Sequence, residues 1–359
     1  MGDPGRVRDL DELTSWNADW TGLRVLVLGL GSTGFSVADT LIELGATVLV
    51  AAADATDERK QLLDVIGGEF VAADRGDVFA DAADRYDPEL VIVSPGFAPS
   101  HPAIGWAQAR GVAIWGDIEL AWRVRDKVMP PAEWLMIAGA AGKSTTAHLT
   151  VLQLEAADKR VASVGDGSIP ALDAIRYPAG FDVLVVELSS RQLHWLGSSA
   201  AGTPVPWSSV CLNGTDAGDD ATSGSAWHGS VQEYRAALGK VYANTRVGAI
   251  YNRADSSTIR MVELAEVTDG ARAIGVGLDA PGPSDFGIVD GILCDRAFLE
   301  ERRTTALELS TRDELAEVGL GSAHHVADVL FSAALVRSLD VLPATVRSAL
   351  LGYTAENGV

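Results

Sequence analysis

Residues 134–146 read Trp134-Leu-Met-Ile-Ala-Gly139-Ala-Ala-Gly142-Lys143-Ser144-Thr145-Thr146. Five apolar residues make a buried strand, a Gly-x-x-Gly-Lys turn follows, and a helical pattern runs from Lys143 to Glu155. Strand, glycine turn and helix in that order form a phosphate cradle. Backbone N–H groups surround the anion, Lys143 reaches the outer phosphates, and Ser144 can touch Mg²⁺. Ile137 stands where the longer Walker pattern has its first glycine. The plainer alternative is a helix-capping glycine turn with an exposed lysine.

Working outward, short apolar runs alternate with helical patterns along the chain. Towards the N-terminus the runs are Arg24–Leu28, Thr47–Ala51, Leu90–Ser94 and Ala113–Trp115, with helices near Gly34–Leu44, Asp57–Ile66, His101–Arg110 and Asp117–Val124. Towards the C-terminus they are Trp134–Ala138, Arg160–Val164, Asp182–Glu187, Ser208–Asn213 and Gly248–Tyr251, with helices near Lys143–Glu155, Val231–Asn244, Ser256–Leu264, His324–Ser338 and Ala344–Leu351. Near-continuous apolar strands separated by helices specify an α/β protein with parallel sheets. The expected organisation is a Rossmann-like domain over 1–127 and a P-loop α/β domain over 128–343, parted by the break Lys127–Glu133, with 344–359 as a linker remnant. Asp285–Leu309 alternates and reads as a small antiparallel insertion. Thr215–Ala226 is rich in Gly, Ser and Asp and reads as a loop; its aspartates do not follow EF-hand spacing.

Composition narrows the function. The 359 residues carry 28 Lys and Arg against 49 Asp and Glu, a net charge of −21, with no basic run. That argues against nucleic acid or an anionic membrane as partner, because both need clustered cations. Hydrophobic residues make up 47%, enough for packed cores. The two cysteines, Cys211 and Cys294, follow no metal or redox spacing. With no apolar leader and no membrane-length apolar run, the expected location is the cytoplasm.

A second glycine turn, Gly29-Leu-Gly31-Ser32-Thr33-Gly34, also follows a strand and opens a helix, and Asp54 lies past the next strand, where a ribose hydroxyl would be met. Taken alone it fits an NAD(P) site, and equally a Rossmann-like turn serving another ligand or none. Nothing in the sequence supplies a hydride-transfer site, so an oxidoreductase is the weakest reading. Glu187 ends an apolar strand, placed to hold Mg²⁺; the alternative is a solvated strand end. His194 and His228 carry little weight as lone histidines.

The strings around both turns resemble the Mur ligases, most closely the D-glutamate-adding MurD-like branch of an actinobacterial type. They are Gly29–Ser36, Val93–Phe97, Trp115–Arg123, Gly139–Thr146, Val186–Trp195, Trp227–Thr245 and Tyr251–Asn252, in family order over nearly the whole chain. The resemblance implies an ATP- and Mg²⁺-dependent ligase of peptidoglycan precursor synthesis, joining D-glutamate to UDP-MurNAc-L-alanine. The substrate carboxylate would become an acyl phosphate that the D-glutamate amine attacks, because phosphorylation gives a poor electrophile a leaving group. It re-reads the first turn as a UDP site, with Gly31, Ser32, Thr33, Gly34, Ser94, Pro95 and Gly96 on the UDP and Ser189 and Gln192 on the substrate side. It puts Gly139, Gly142, Lys143, Ser144, Thr145, Asn252 and His324 on the nucleotide, Lys143 as the catalytic cation, and Ser144 and Glu187 on Mg²⁺.

Several positions depart from the family pattern. Ala140 and Ala141 replace Thr and Asn in the phosphate turn; Asp166 stands in the G-N-x-G loop, where its charge would repel phosphate. Ala217 and Gly218 stand where an Asp and a metal-binding His are expected, Leu238 where a carbamylated lysine holds a second metal, Arg191 for an aromatic, and Asp328 for an Asn. Lys240, two positions from Leu238, lies on another helix face. The family also continues into a third domain beyond the last helix read here. The resulting expectation is a ligase-type chain whose own catalysis is impaired or absent, with a non-catalytic UDP-sugar or nucleotide binder as the alternative.

Overall fold

The structure is a computed structural model that describes residues 9–197, 209–215 and 226–354. Packing divides it into two compact units. The first runs to Pro131 and takes in Pro170–Ala179 and the segment from Trp195; the second holds the rest.

In the first unit the strands are β1 (Arg24–Leu28), β2 (Thr47–Ala51), β3 (Glu69–Val71), β4 (Leu90–Val93) and β5 (Ala113–Gly116). They form a parallel sheet in the order β3-β2-β1-β4-β5. Helices α1 (Ser32–Glu43), α2 (Asp57–Val65), α3 (Gly76–Tyr86), α4 (Pro102–Ala109) and α5 (Asp117–Arg123) connect and follow them. Val25–Leu28 of β1 and all of β4 are buried, as strands covered on both faces must be. Short β3 and polar α3 have no counterpart in the sequence reading: β3 has three residues, and α3 buries only Phe79 and Ala83.

The segment Pro170–Ala179 contains helix α7 (Ala171–Ile175) and is fastened to α1. Ser36 Oγ donates to Asp173 Oδ1 at 2.5 Å, and Arg176 pairs with Asp39 at 2.5 Å and Glu43 at 2.9 Å.

In the second unit, β6 (Glu133–Ala138), β7 (Val161–Gly165), β8 (Val183–Glu187), β9 (Ser209–Leu212), β10 (Gly248–Asn252), β11 (Arg272–Val276), β12 (Asp285–Val289), β13 (Ile292–Asp295) and β14 (Leu307–Thr311) form one sheet. Its order is β14-β13-β12-β11-β10-β9-β6-β8-β7, and only the β12-β13-β14 pairs are antiparallel. The expected insertion at Asp285–Leu309 is therefore corrected: it is the edge of the main sheet, joined through the parallel register Gly275↔Asp285. Unread β11 makes that junction, its apolar run being broken by Gly275.

The helices are α6 (Lys143–Glu155), α8 (Ser190–Trp195), α9 (Val231–Gly239), α10 (Ser256–Glu263), α11 (Arg312–Glu317), α12 (Ala323–Arg337) and α13 (Pro343–Leu351). Helix α12 is buried at nearly every position from Val326 to Arg337, so its apolar character runs all round. At its end Arg337 Nε donates to Asp295 Oδ2 at 2.8 Å, a pair in which Asp295 is fully buried. Proline opens α13 at a first-turn position, and Val346 and Leu350 join the same core. Among the described residues no helix is long and apolar enough to cross a membrane.

Candidate functional site: two glycine turns, one in each unit

In the first unit the turn after β1 meets the loop after β4. Strands β1 and β4 are neighbours, and β1 is where the chain's strand order reverses, the place where open α/β sheets bind ligands. Gly31 caps α1 without a side-chain bond; Ser32, Thr33 and Gly34 form its first turn. A Cβ on Gly34 would stand 2.0 Å from the Gly29 carbonyl oxygen, so only glycine permits this closure. Ser94 Oγ lies 2.9 Å and 3.1 Å from the Cβ positions of Gly29 and Gly34, so the two loops converge. Pro95 and Gly96 continue the β4 loop, and Gly96 has open space where a side chain would be. Asp54 is exposed past β2, while Arg59 of α2 donates to the Leu30 carbonyl at 3.0 Å.

In the second unit the turn between β6 and α6 adopts two left-handed glycines, Gly139 at φ +140° and Gly142 at φ +78°. Both are confined from outside the turn. A Cβ on Gly139 would stand 3.3 Å from Asn213, and one on Gly142 would stand 2.5 Å from Asp328 Oδ1. Gly142 caps α6, whose first-turn N–H groups have no acceptor within the helix. Lys143 Nζ donates to the Gly139 carbonyl at 3.1 Å, folding over the turn. Ser144 Oγ donates to Glu187 Oε2 at 2.8 Å, and Thr145 follows in the same helical turn. Burial raises the Glu187 pKa, against the opposing hydrogen bond from Ser144 and charge of Lys143; Asp166 adds to the rise.

Beneath the turn lies a polar network that the sequence reading did not assemble. Asn213 Nδ2 donates to Thr146 Oγ1 at 2.8 Å, and Thr146 Oγ1 donates to Asp328 Oδ1 at 3.2 Å. The buried Cys211 thiol donates to Asn213 Oδ1 at 2.6 Å. Asp328 is 7% exposed, and burial pushes its carboxyl up to about 6 despite the Thr146 hydrogen bond and the nearby His325.

A cleft of about 520 Å³ opens beside the turn, lined by Ala140, Ala141, Asn213, Arg235, Asn252 and Asp255 among others. Asn252 Nδ2 donates to the Asn213 carbonyl at 2.7 Å, and its Oδ1 accepts from the Ala254 N–H at 2.9 Å. Asp255 Oδ2 accepts from the Thr215 N–H and hydroxyl at 2.7 and 2.8 Å. The ends of the neighbouring strands β6 and β9 are tied together as well, by Ala140 N–H to the Gly214 carbonyl at 3.0 Å.

The remaining expected residues stand elsewhere. Ser189 Oγ and Gln192 bond each other across the first turn of α8: the hydroxyl donates to Gln192 Oε1 at 3.1 Å. His324 is exposed on the first turn of α12 and does not line the cleft. Leu238 is 1% exposed, and Lys240 Nζ donates to the His194 carbonyl at 2.6 Å. Ala217 and Gly218, with most of the Thr215–Ala226 loop, lie outside the described residues.

A profile of the Mur ligase MurD-like N-terminal domain matches residues 23–116, the whole of the first sheet. Over 350 residues the chain is 54% identical to the UDP-N-acetylmuramoylalanine–D-glutamate ligase of Leifsonia xyli subsp. xyli, covering 96% of this chain and 66% of that one. It is 42% identical over 341 residues to the ligase of the same name from Tropheryma whipplei, covering 95% of this chain and 68% of that one. The chain belongs to the UDP-N-acetylmuramoylalanine–D-glutamate ligase family of Mur ligases. It spans about two thirds of the length of these relatives. The fold of this Mur ligase chain is also that of a solved ligase from Neisseria meningitides, named for UDP-N-acetylmuramate and L-alanyl-γ-D-glutamyl-meso-diaminopimelate. The TM-score is 0.54 at 13% identity, covering 93% of this chain and 99% of that one. A UDP-N-acetylmuramoyl-L-alanyl-D-glutamate–2,6-diaminopimelate ligase gives the same TM-score and identity, covering 88% and 61%. In this Mur ligase the first glycine turn therefore sits in a ligase domain, and the oxidoreductase alternative is not carried further.

Proposed function

We propose that this chain supplies the UDP-substrate unit and the nucleotide unit of a D-glutamate-adding ligase. UDP-MurNAc-L-alanine would occupy the first unit and Mg·ATP the second, in the cytoplasmic stage of peptidoglycan precursor synthesis. The observation that carries the reading is the phosphate turn of a Mur ligase chain, with Lys143 folded over Gly139 and Ser144 on Glu187 at 2.8 Å.

The residues suit these ligands. The two left-handed glycines let the backbone close tightly over Asn213 and Asp328, and the first-turn N–H groups of α6, without acceptors inside the helix, are the donors a phosphate would meet. A hydroxyl and a carboxylate at hydrogen-bond distance are hard oxygen donors, the kind Mg²⁺ takes one or two of beside phosphate and water. Bound Mg²⁺ would neutralise charge on the transferred phosphoryl group. Lys143 would leave the Gly139 carbonyl for the outer phosphates and hold the leaving charge. Glu187 would fix the cation at the strand end. Ser32, Thr33 and the α1 N-terminus would receive the UDP diphosphate, with Ser94, Pro95 and Gly96 closing over it. Asn252, which lines the cleft, would meet the nucleoside side of ATP, and Ser189 and Gln192 the substrate side.

Three observations support impaired catalysis by the chain as it stands. Ala140 and Ala141 bring methyl groups to the cleft beside the turn. Leu238 gives a buried apolar side chain where the resemblance puts a metal-holding lysine. Asp166 adds negative charge near Glu187. We therefore assign the chain binding of both nucleotides, with ligation slow or absent.

Titration calorimetry of Lys143→Ala tests the nucleotide assignment. Loss of roughly tenfold or more in Mg·ATP affinity is expected, the effect of removing one charge-assisted phosphate contact. Unchanged affinity would remove the lysine, and with it the phosphate turn, from the proposal.

A further inference from the structure

The Asp328 carboxylate lies under the phosphate turn, and nothing in the ligase reading uses it. Its Oδ1 fills the space where a Gly142 side chain would be, 2.5 Å from the Cβ position, and accepts from Thr146. Asn213, which donates to Thr146 at 2.8 Å and stands 3.5 Å from Asp328 Oδ1, reaches the cleft from the same network. A phosphate chain entering the turn would bring several negative charges close to a carboxylate that is nine-tenths buried. Like charges in a low-dielectric setting repel strongly, and the carboxylate can answer by taking a proton.

We propose that phosphate binding at the Gly139–Lys143 turn is coupled to protonation of Asp328, which acts as a positioning residue of the turn. The inference rests on the proposed nucleotide site. One proton passes from solvent to Oδ2, leaving Oδ1 to accept from Thr146. The neutral acid keeps the turn's support and removes the repulsion.

The surroundings suit a group poised to titrate. Its carboxyl is already held at about 6 by burial, with the charge of His325, one turn earlier on α12, opposing the rise. From β9 it faces the buried Cys211 thiol, whose own pKa burial raises, with Asp328 adding to the rise. From α6 it meets the Thr146 hydroxyl; Lys143 opens that helix with its ammonium on the Gly139 carbonyl. Asn213 carries no titratable group.

The test is calorimetric titration of the full chain and Asp328→Asn with Mg·ATP, from about pH 5.5 to about pH 8 in buffers of differing ionisation heat. Affinity of the unaltered chain should fall roughly tenfold more than that of the variant across this range, the linkage expected of one coupled proton. Net proton uptake at neutral pH should approach one in the unaltered chain relative to the variant; the ligand's own proton is common to both and cancels. Binding by both chains with the same pH profile and the same uptake would overturn the coupling while leaving the nucleotide site standing. Absence of binding by both at every pH would overturn the nucleotide site itself, and the coupling with it. A carboxyl-carbon NMR titration adds a readout that a merely structural role would not move. The Asp328 midpoint should rise on adding Mg·ATP, and a fixed midpoint counts against the coupling.

Discussion

At the residue scale, two glycines and one carboxylate set the character of the sites. Gly34 lies so close to the Gly29 carbonyl that Gly34→Ala must move backbone. We expect a stability loss of about 1–3 kcal/mol in denaturant unfolding, the usual cost of overpacking, together with weakened UDP-substrate binding. Asp328 has a linkage effect of its own. Its carboxyl is raised to about 6, above the range of an unfolded chain. Between about pH 4 and pH 6 the folded protein therefore holds a proton that the unfolded chain has lost, so stability falls as pH rises through this window. Asp328→Asn cannot ionise, so its stability relative to the parent should improve by about 3 kcal/mol, as an upper figure, between pH 4 and pH 7. Thermal unfolding of both chains across that range checks the sign, and a parallel pH course would remove Asp328 as the cause. Much of this was out of reach of the sequence. Gly34 and Lys143 announce themselves by spacing, because the backbone closure needs glycine locally. Asp328, Asn213 and Thr146 come from three distant segments, and only the folded sheet makes them neighbours.

At the element scale, the long buried strands and α6 were legible because their apolar runs are continuous and their turns carry glycine. Helix α6 runs Lys143–Glu155, the span its pattern gives. Elements that bury little were not legible: β3, α3 and α11 hide one or two side chains at most. The antiparallel edge looked like an insertion because β11, which joins it to the sheet, is interrupted by glycine. That edge depends on the pairing of Asp295 with Arg337. Asp295 also accepts from the Ala297 and Phe298 N–H groups at 2.7 and 2.9 Å. Removing one member of a buried pair leaves the other charge unmet, so Asp295→Ala should cost about 3–5 kcal/mol. Hydrogen exchange should show the loss centred on β13 and β14. A loss under about 0.5 kcal/mol would mean that surface-like screening prevails there.

At the scale of the whole molecule, the chain joins two α/β units, each with a glycine turn at the C-terminal end of its first strand. A net charge of −21 leaves anion binding to such local devices, helix N-termini and single cations, since no basic surface stretch exists in the sequence. Family membership was legible from the ordered strings around those turns. The departures at Ala140, Ala141 and Leu238 fall inside otherwise matching strings, so they leave the family reading intact while carrying the proposal of weakened catalysis. The proposed function stands on binding of the UDP-sugar by the first unit and of Mg·ATP by the second. Calorimetric titration of the purified chain with UDP-MurNAc-L-alanine, Mg·ATP and NAD in separate runs tests it most directly. Heats of binding are expected from the UDP-sugar and from Mg·ATP and none from NAD; saturable binding of NAD without the UDP-sugar would overturn the proposed function.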